Sequence, residues 1–319
     1  MSTPRVLVTG GAGFVGSALC ARLVHDHYSV SVIDDCRLGS QANWSSEVAN
    51  EIDLRQADIR DLNAVTDHVR SLQPEIIFHL AAVHFIPTCE AYPTLAVDVN
   101  VTGTQSVLEA CAKASPDSSI VFTSSAAVYE PSTQAHTETS AIGPTDVYGH
   151  TKLFGEQLLA LYHLKTGAGV GVARLFNVFG PRETNPHFIP AVLIQAAVAE
   201  TLQLGNLTTR RDYVFTDDVA RALSRLGDVT RAGERLTVNI GAENALSGKE
   251  VLDAVAALLG RPLVPTVDSE RMRPSDRPLL LSDCAQARER LDWHAVTSFR
   301  DGLEKALAQP LAHGVDLSA

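Results

Sequence analysis

Tyr148 and Lys152 stand four residues apart in Val147–Lys165, a stretch with apolar residues at helical spacing. Four residues is just over one turn, so both side chains project from one helix face. An ammonium beside a phenol favours the phenolate and predicts a Tyr148 pKa below the ordinary ~10, which suits a base working near neutral pH. A tyrosine and a lysine at this spacing carry no weight alone. Upstream, however, the apolar run Ser119–Thr123 surfaces in Ser124-Ser125-Ala126-Ala127, two hydroxyls followed by two methyls. Near the start, Val6-Leu-Val-Thr-Gly-Gly-Ala-Gly-Phe-Val-Gly16 reads as a strand, a glycine-rich turn and the opening of a helix. Together the three sets are specific.

The glycine turn suits a dinucleotide. Gly10, Gly13 and Gly16 let the backbone turn tightly, approach a pyrophosphate and set it on the helix start at Phe14 and Val15. A second strand ends in Asp34 at the expected interval of ~20 residues, placed to accept from the adenosine ribose hydroxyls. Its charge would repel a 2′-phosphate, so NAD is expected over NADP; Arg37, able to pair such a phosphate, argues the other way unless it is a solvated loop arginine. Asp58, followed by Ile59 after the third strand, is placed to touch the adenine or to cap a helix.

These residues need a frame. Candidate strands are 5–9, 29–34, 52–57, 76–80, 119–124 and 170–175, separated by helical patterns at 15–24, 62–72, 95–113 and 147–165. Nearly all-apolar strands alternating with helices predict a doubly wound α/β domain with a parallel sheet over residues 1–175. Beyond it the alternation degrades into helices near 188–199, 217–226, 247–259 and 298–307. Residues 213–245 are expected to rejoin the first domain, with a strand near 236–240. The spans 176–212 and 246–319 are left as a smaller, mostly helical substrate-binding region.

Composition narrows the classes. Of 319 residues, 45% are hydrophobic and the formal net charge is −11, which argues against a nucleic-acid surface because phosphate contacts need clustered lysine and arginine. No apolar run approaches the ~20 residues of a membrane span, and the start is too short in apolar residues for a signal-peptide core. The five scattered cysteines read as thiols of a reducing compartment, so a cytoplasmic protein is expected; no cysteine pair suggests a metal.

The chain resembles the extended short-chain dehydrogenase/reductases that act on nucleotide sugars. The likeness runs over nearly the whole chain. It includes Thr9–Gly16, His79-Leu-Ala-Ala82, Asn100 with Gly103-Thr104, Ser124-Ser125, Tyr148 with Lys152, Arg174–Arg182, Arg211–Asp218 and Arg273-Pro-Ser-Asp276. It implies that Tyr148 is the catalytic base and acid, that Lys152 holds the nicotinamide ribose, and that Ser125 binds the reacting sugar hydroxyl. It implies further that Ser124, Leu80, Ala81 and Ala82 run along the NAD cofactor and that Asn100, counted among the cofactor-binding residues, supports the site from a helix, a buried satisfied amide being the alternative. In the second half, Asn177 should contact the sugar or diphosphate, Arg211 and Arg273 should neutralise the diphosphate, and Asp276 should accept from the nucleoside ribose. Arg182, just past Gly180-Pro181, and His187 could meet a hexuronate carboxylate; Arg182 could equally be a structural arginine paired with Glu183.

The resemblance also frames the reaction. Members begin by oxidising a sugar carbon to a ketone; 4,6-dehydratases and glucuronate decarboxylases then use acidic residues just after the strand-end hydroxyl. Here those positions are Ala126 and Ala127, and a methyl can neither donate nor accept a proton. The expectation is a UDP-sugar 4-epimerase acting on glucose/galactose or their uronates. The alternatives are a reductase or decarboxylase that releases its product, and a non-enzymatic NAD sensor. Leu158, Leu159 and Leu161 exceed what one buried helix face needs, and relatives dimerise through these helices, so a homodimer is expected.

Overall fold

The structure is a computed structural model that describes residues 3–183, 185–268 and 277–308. The first half alternates β1 (Arg5–Thr9), α1 (Phe14–His25), β2 (Ser29–Asp34), α2 (Ser46–Asn50), β3 (Ile52–Gln56), α3 (Leu62–Leu72) and β4 (Ile76–His79). It continues with α4 (Ile86–Ala91), α5 (Pro93–Val97), α6 (Gly103–Ala114), β5 (Ser119–Ser125), α7 (Val147–Thr166) and β6 (Val170–Leu175). The second half runs β7 (Asn177–Phe179), α8 (Phe188–Val198), β8 (Thr201–Leu204), β9 (Arg210–Phe215), α9 (Thr216–Thr230) and β10 (Arg235–Ile240). Last come β11 (Ala245–Ser247), α10 (Gly248–Leu259), β12 (Val264–Val267), β13 (Leu279–Leu280), α11 (Ala285–Leu291) and α12 (Phe299–Leu307).

Seven parallel strands form the main sheet in the order β10-β6-β5-β4-β1-β2-β3. Successive strand side chains point to opposite faces, and both faces are apolar. Val6 and Val8 of β1 pack on one side with Leu19 and Leu23 of α1 and with Leu223 and Leu226 of α9. Leu7, between them, packs on the other with Val65 and Val69 of α3, Val107 of α6 and Leu159 of α7. Strand order reverses beside β1, so a crevice opens past the carboxyl ends of β1 and β4, where doubly wound sheets bind ligands.

The second half carries more sheet than its helical pattern suggests. Strand β9 pairs with β7, β11 and β13, and β8 pairs with β12. These strands are two to six residues long, too short for a period to stand out. Phe179, Tyr213, Phe215 and Leu303 join α8 and α10 in a separate core there. Strand β10 leaves this region and pairs with β6 from Arg235↔Val170 to Ile240↔Leu175.

Two helices depart from their sequence patterns. The expected helix 95–113 is interrupted by a π-helical turn at Asp98–Thr102, which holds Asn100. In α7, Leu159 is fully buried under the sheet and Leu158 packs partly against the same core, so only Leu161 of the three leucines faces outward. Phe154 and Leu164 are exposed there instead. Among the described residues, no helix is long and apolar enough to cross a membrane.

Candidate active site

A continuous cleft of about 1130 Å³ runs from the glycine turn past the end of β5 to β7 and α8. Its cofactor end is built by backbone. Gly10 has φ +73°, and a Cβ there would lie 2.7 Å from the Ala81 amide nitrogen; a Cβ on Gly16 would fall on the Gly10 carbonyl oxygen. Both glycines are therefore obligatory for the turn, which packs its backbone directly against the end of β4 and the start of α1. Gly13 precedes α1 in an extended conformation without a side-chain cap, so the amides at Phe14, Val15 and Gly16 open onto the cleft.

Asp34 orders this turn: its carboxylate accepts from the Ala12 amide at 3.0 Å and the Cys36 amide at 2.8 Å. Burial raises its pKa, and these two amides pull it back. Arg37 pairs with Asp35 at 2.5 Å and reaches Asp58 at 3.5 Å, so it is neutralised locally rather than held ready for a 2′-phosphate. Asp58 takes Arg60 in a bidentate contact that holds its carboxyl below the usual range, while Asp58 and Ile59 still line the cleft. Leu80, Ala81 and Ala82 line it from the end of β4.

Asn100 does not line the cleft. Its amide oxygen accepts from the Val83 amide at 2.8 Å, and its nitrogen donates to the Val83 carbonyl at 2.9 Å and to Thr151 Oγ1 at 3.0 Å. The expectation of a cofactor contact is corrected: every polar atom of this side chain is spent clamping the post-β4 loop to α7 next to Lys152.

At the chemical corner, Ser125 Oγ accepts from the Ala127 amide at 3.1 Å and lies close enough to the Tyr148 phenol to act on its ionisation. Lys152, 3% exposed, donates Nζ to the Thr123 carbonyl at 2.8 Å and lies 5.8 Å from the Tyr148 ring centre. The phenol departs from the sequence expectation. Burial pushes the Tyr148 pKa up, and the Ser125 hydroxyl, not Lys152, is the group that lowers it. Burial in turn lowers Lys152 to about 8. The lysine reaches for a carbonyl instead of the phenol, which is why its charge does little for the phenolate here.

Ser124 lines the cleft, but its hydroxyl donates to Glu156 at 2.5 Å. Glu156 forms a two-pronged pair with Arg174, at 2.9 Å to Nε and 2.7 Å to Nη2, and both side chains are about nine-tenths buried. Arg174 also donates to the Tyr129 hydroxyl at 3.0 Å, which donates to Asn239 at 2.6 Å. Sequence reasoning did not foresee this network, which ties β5, β6, α7 and β10 together directly behind Ser125.

At the substrate end, Asn177 lines the cleft with its amide oxygen buried and unpaired. His187 lines the same wall, with Nδ1 against the buried carboxylate of Glu183. Beside it His84, neutral because burial lowers its pKa to about 3, meets Asn185 at 3.0 Å. Arg182 is not on the cleft wall. It adopts φ +66°, and its charge acts on Asp217 of α9, so its proposed carboxylate contact is corrected; Glu183, its expected alternative partner, faces His187. Arg211 lines the cleft and donates to the carbonyls of Arg210 at 2.9 Å and Arg277 at 2.7 Å. Arg273 and Asp276 lie outside the described residues.

Arg277 is a wall residue that the sequence reading passed over. It is 8% exposed and lines the cleft, with Nη1 3.3 Å from the Ala126 carbonyl and Nη2 3.0 Å from the Ala127 carbonyl and 3.3 Å from Thr145 Oγ1. Nothing local in Asp276-Arg277-Pro278 announces a contact with a turn so far back in the chain.

A family model described as the NAD dependent epimerase/dehydratase family matches residues 6–241. A UDP-glucose 4-epimerase of Mycolicibacterium smegmatis is 33% identical over 310 residues, covering 95% of this chain and 97% of its own. The structure of UDP-glucose 4-epimerase from Brucella ovis in complex with NAD superposes with a TM-score of 0.86 at 29% identity, over 96% of this chain and 98% of its own. MoeE5 in complex with UDP-glucuronic acid and NAD gives 0.83 at 30% identity, over 95% and 98%. Relatives at 26% identity include a dTDP-glucose 4,6-dehydratase of Salmonella typhimurium and a UDP-N-acetyl-alpha-D-glucosaminuronate decarboxylase of Bacillus cytotoxicus.

Proposed function

Because the chain belongs to the NAD dependent epimerase/dehydratase family, we propose that it is a UDP-sugar 4-epimerase, acting on glucose and galactose or on the corresponding uronates. The carrying observation is the corner itself. Ser125 and Tyr148 stand together on the cleft wall beside buried Lys152, while Ala126 and Ala127, 1% and 9% exposed, offer no proton-transfer group.

NAD, when bound, supplies a hydride acceptor that later returns what it took. The chain's residues supply the rest. The Ser125 hydroxyl orients the carbon-4 hydroxyl of the sugar, and the Tyr148 phenolate oxygen takes its proton as the carbon becomes a ketone. A phenol held above its ordinary pKa gives a strong base once ionised, and the alkoxide formed as the ketone is reduced from its other face takes the proton back. Lys152, buried with one carbonyl partner, has further donors for the nicotinamide ribose. Asn177 lines the cleft wall at the sugar end.

Incubation with UDP-glucose, UDP-galactose, UDP-glucuronate, UDP-galacturonate and their N-acetylamino counterparts tests this reading. Carbon-4 epimers should form without growth of reduced-nicotinamide absorbance. Net growth of that absorbance would favour the reductase alternative, and loss of carbon dioxide from a uronate would favour the decarboxylase.

A second copy of the chain is expected to cover α7. Phe154, Leu161 and Leu164 are 49%, 51% and 80% exposed along that helix, next to a groove lined by Val97, Val101 and Phe154. Light scattering on the purified protein should return twice the 34.2 kDa chain mass, and a value near the chain mass would refute the pairing.

A further inference from the structure

Arg277 presents a chemical problem. Arginine carries five N–H donors and a permanent charge, and a charge taken out of water needs an ionic partner to offset its desolvation. This guanidinium is 8% exposed, yet among the described residues its bonds go to neutral oxygens, the Ala126 and Ala127 carbonyls and the Thr145 hydroxyl. Among the described residues, no carboxylate is hydrogen-bonded to it. Asp146 acts on it through space but caps α7 by accepting from the Gly149 amide at 2.7 Å. Arg211 adds a second positive charge close enough to oppose it. The described residues therefore give this charge no hydrogen-bonded counter-ion, and the cleft whose wall Arg277 forms is open to one.

Position narrows the counter-ion. Arg277 is anchored on the turn Ala126–Val128, which begins directly after Ser125, the residue assigned above to the reacting sugar. An anion within its reach therefore belongs to the sugar end of the substrate. We propose that Arg277 binds a carboxylate carried by the sugar, so that the preferred substrate is a nucleotide-activated hexuronate rather than the neutral hexose. This rests on the sugar-nucleotide reading above and names the substrate class within it. It also gives the alanines a role: small side chains at 126 and 127 leave room beside the guanidinium and introduce no competing acid.

Calorimetry on the NAD-loaded protein tests the proposal independently of turnover, using UDP-glucuronate and UDP-glucose as ligands for the wild type and for Arg277→Gln and Arg277→Lys. Gln keeps an amide donor for the Ala127 carbonyl and removes the charge; Lys keeps the charge without the planar fork. The wild type should bind UDP-glucuronate more tightly. Arg277→Gln should lose roughly 10- to 100-fold on UDP-glucuronate, the worth of a charge-assisted hydrogen-bonded contact, and change little on UDP-glucose. Arg277→Lys should fall between. Equal losses on both ligands would assign Arg277 to the diphosphate or to support of the turn and overturn the proposal, as would wild-type preference for UDP-glucose. Selective binding without any carbon-4 epimer would sustain the carboxylate contact and sink the epimerase reading instead.

Discussion

A Tyr148→Phe protein is expected to lose carbon-4 epimerisation by about 10³-fold, within the range general acid–base groups contribute, while it retains NAD. The substitution removes one oxygen and leaves the ring, so the helix face shared with Lys152 is unaltered, and Lys152 keeps its Thr123 carbonyl. Ser125 keeps its bond from the Ala127 amide and remains able to orient a hydroxyl. Only the proton acceptor disappears. Epimer formation is measured by separating UDP-glucose from UDP-galactose and the two uronates, with NAD content determined after denaturation. Activity within tenfold of wild type would remove Tyr148 from the acid–base role and, with it, the carrying observation for the proposed reaction. Retained NAD with lost activity would also set aside the sensing alternative, which gives Tyr148 no chemical step.

The largest effect on stability is expected at Glu156. In Glu156→Gln the guanidinium of Arg174 stays charged and about nine-tenths buried but loses the carboxylate it pairs with, and Ser124 loses the ionised acceptor of its hydroxyl. Breaking a buried pair from one side costs about 3–5 kcal/mol, because the remaining charge is uncompensated. A double variant, Glu156→Met with Arg174→Met, removes both charges and should recover most of that loss, since apolar replacement of a buried pair is often neutral. Urea unfolding followed by fluorescence compares the three proteins. A double variant as unstable as the single one would show that the loss comes from shape and not from charge.

The parts of this site that a sequence shows are those made by neighbours in the chain. The glycine turn, the Asp34 strand end and the Tyr148/Lys152 pair each lie within one loop or one helical turn, so spacing alone places them. The main-sheet strands were legible for a similar reason: both faces are buried, which leaves near-continuous apolar runs such as Val6–Val8. What was not legible is long-range or depends on a local irregularity. Arg277 meets Ala127 across 150 positions, and Glu156 meets Ser124 across 32. Arg182 looked like a cleft residue because it follows Asn177 and Gly180, but its backbone is left-handed, it is off the cleft wall and its charge acts on Asp217. Asn100 looked like a ligand contact, and a π-helical turn points it at Val83 instead. The Tyr148 pKa could not be read from its spacing to Lys152, because burial, which depends on every surrounding element, is the largest influence on it.

The pairing of β10 with β6 sets a constraint on how the chain is made. Strand β6 is apolar along nearly its whole length and buried on both sides, yet the partner that covers its outer hydrogen-bonding edge is synthesised only after β7, α8, β8, β9 and α9. On the ribosome, a nearly finished nucleotide-binding half must therefore wait with an open, sticky edge, the kind of edge that templates pairing with another chain. Because α9 must also settle over the same sheet face as α1, segments far apart in the chain close the fold together, and a chain ending before Ile240 would keep that β6 edge open.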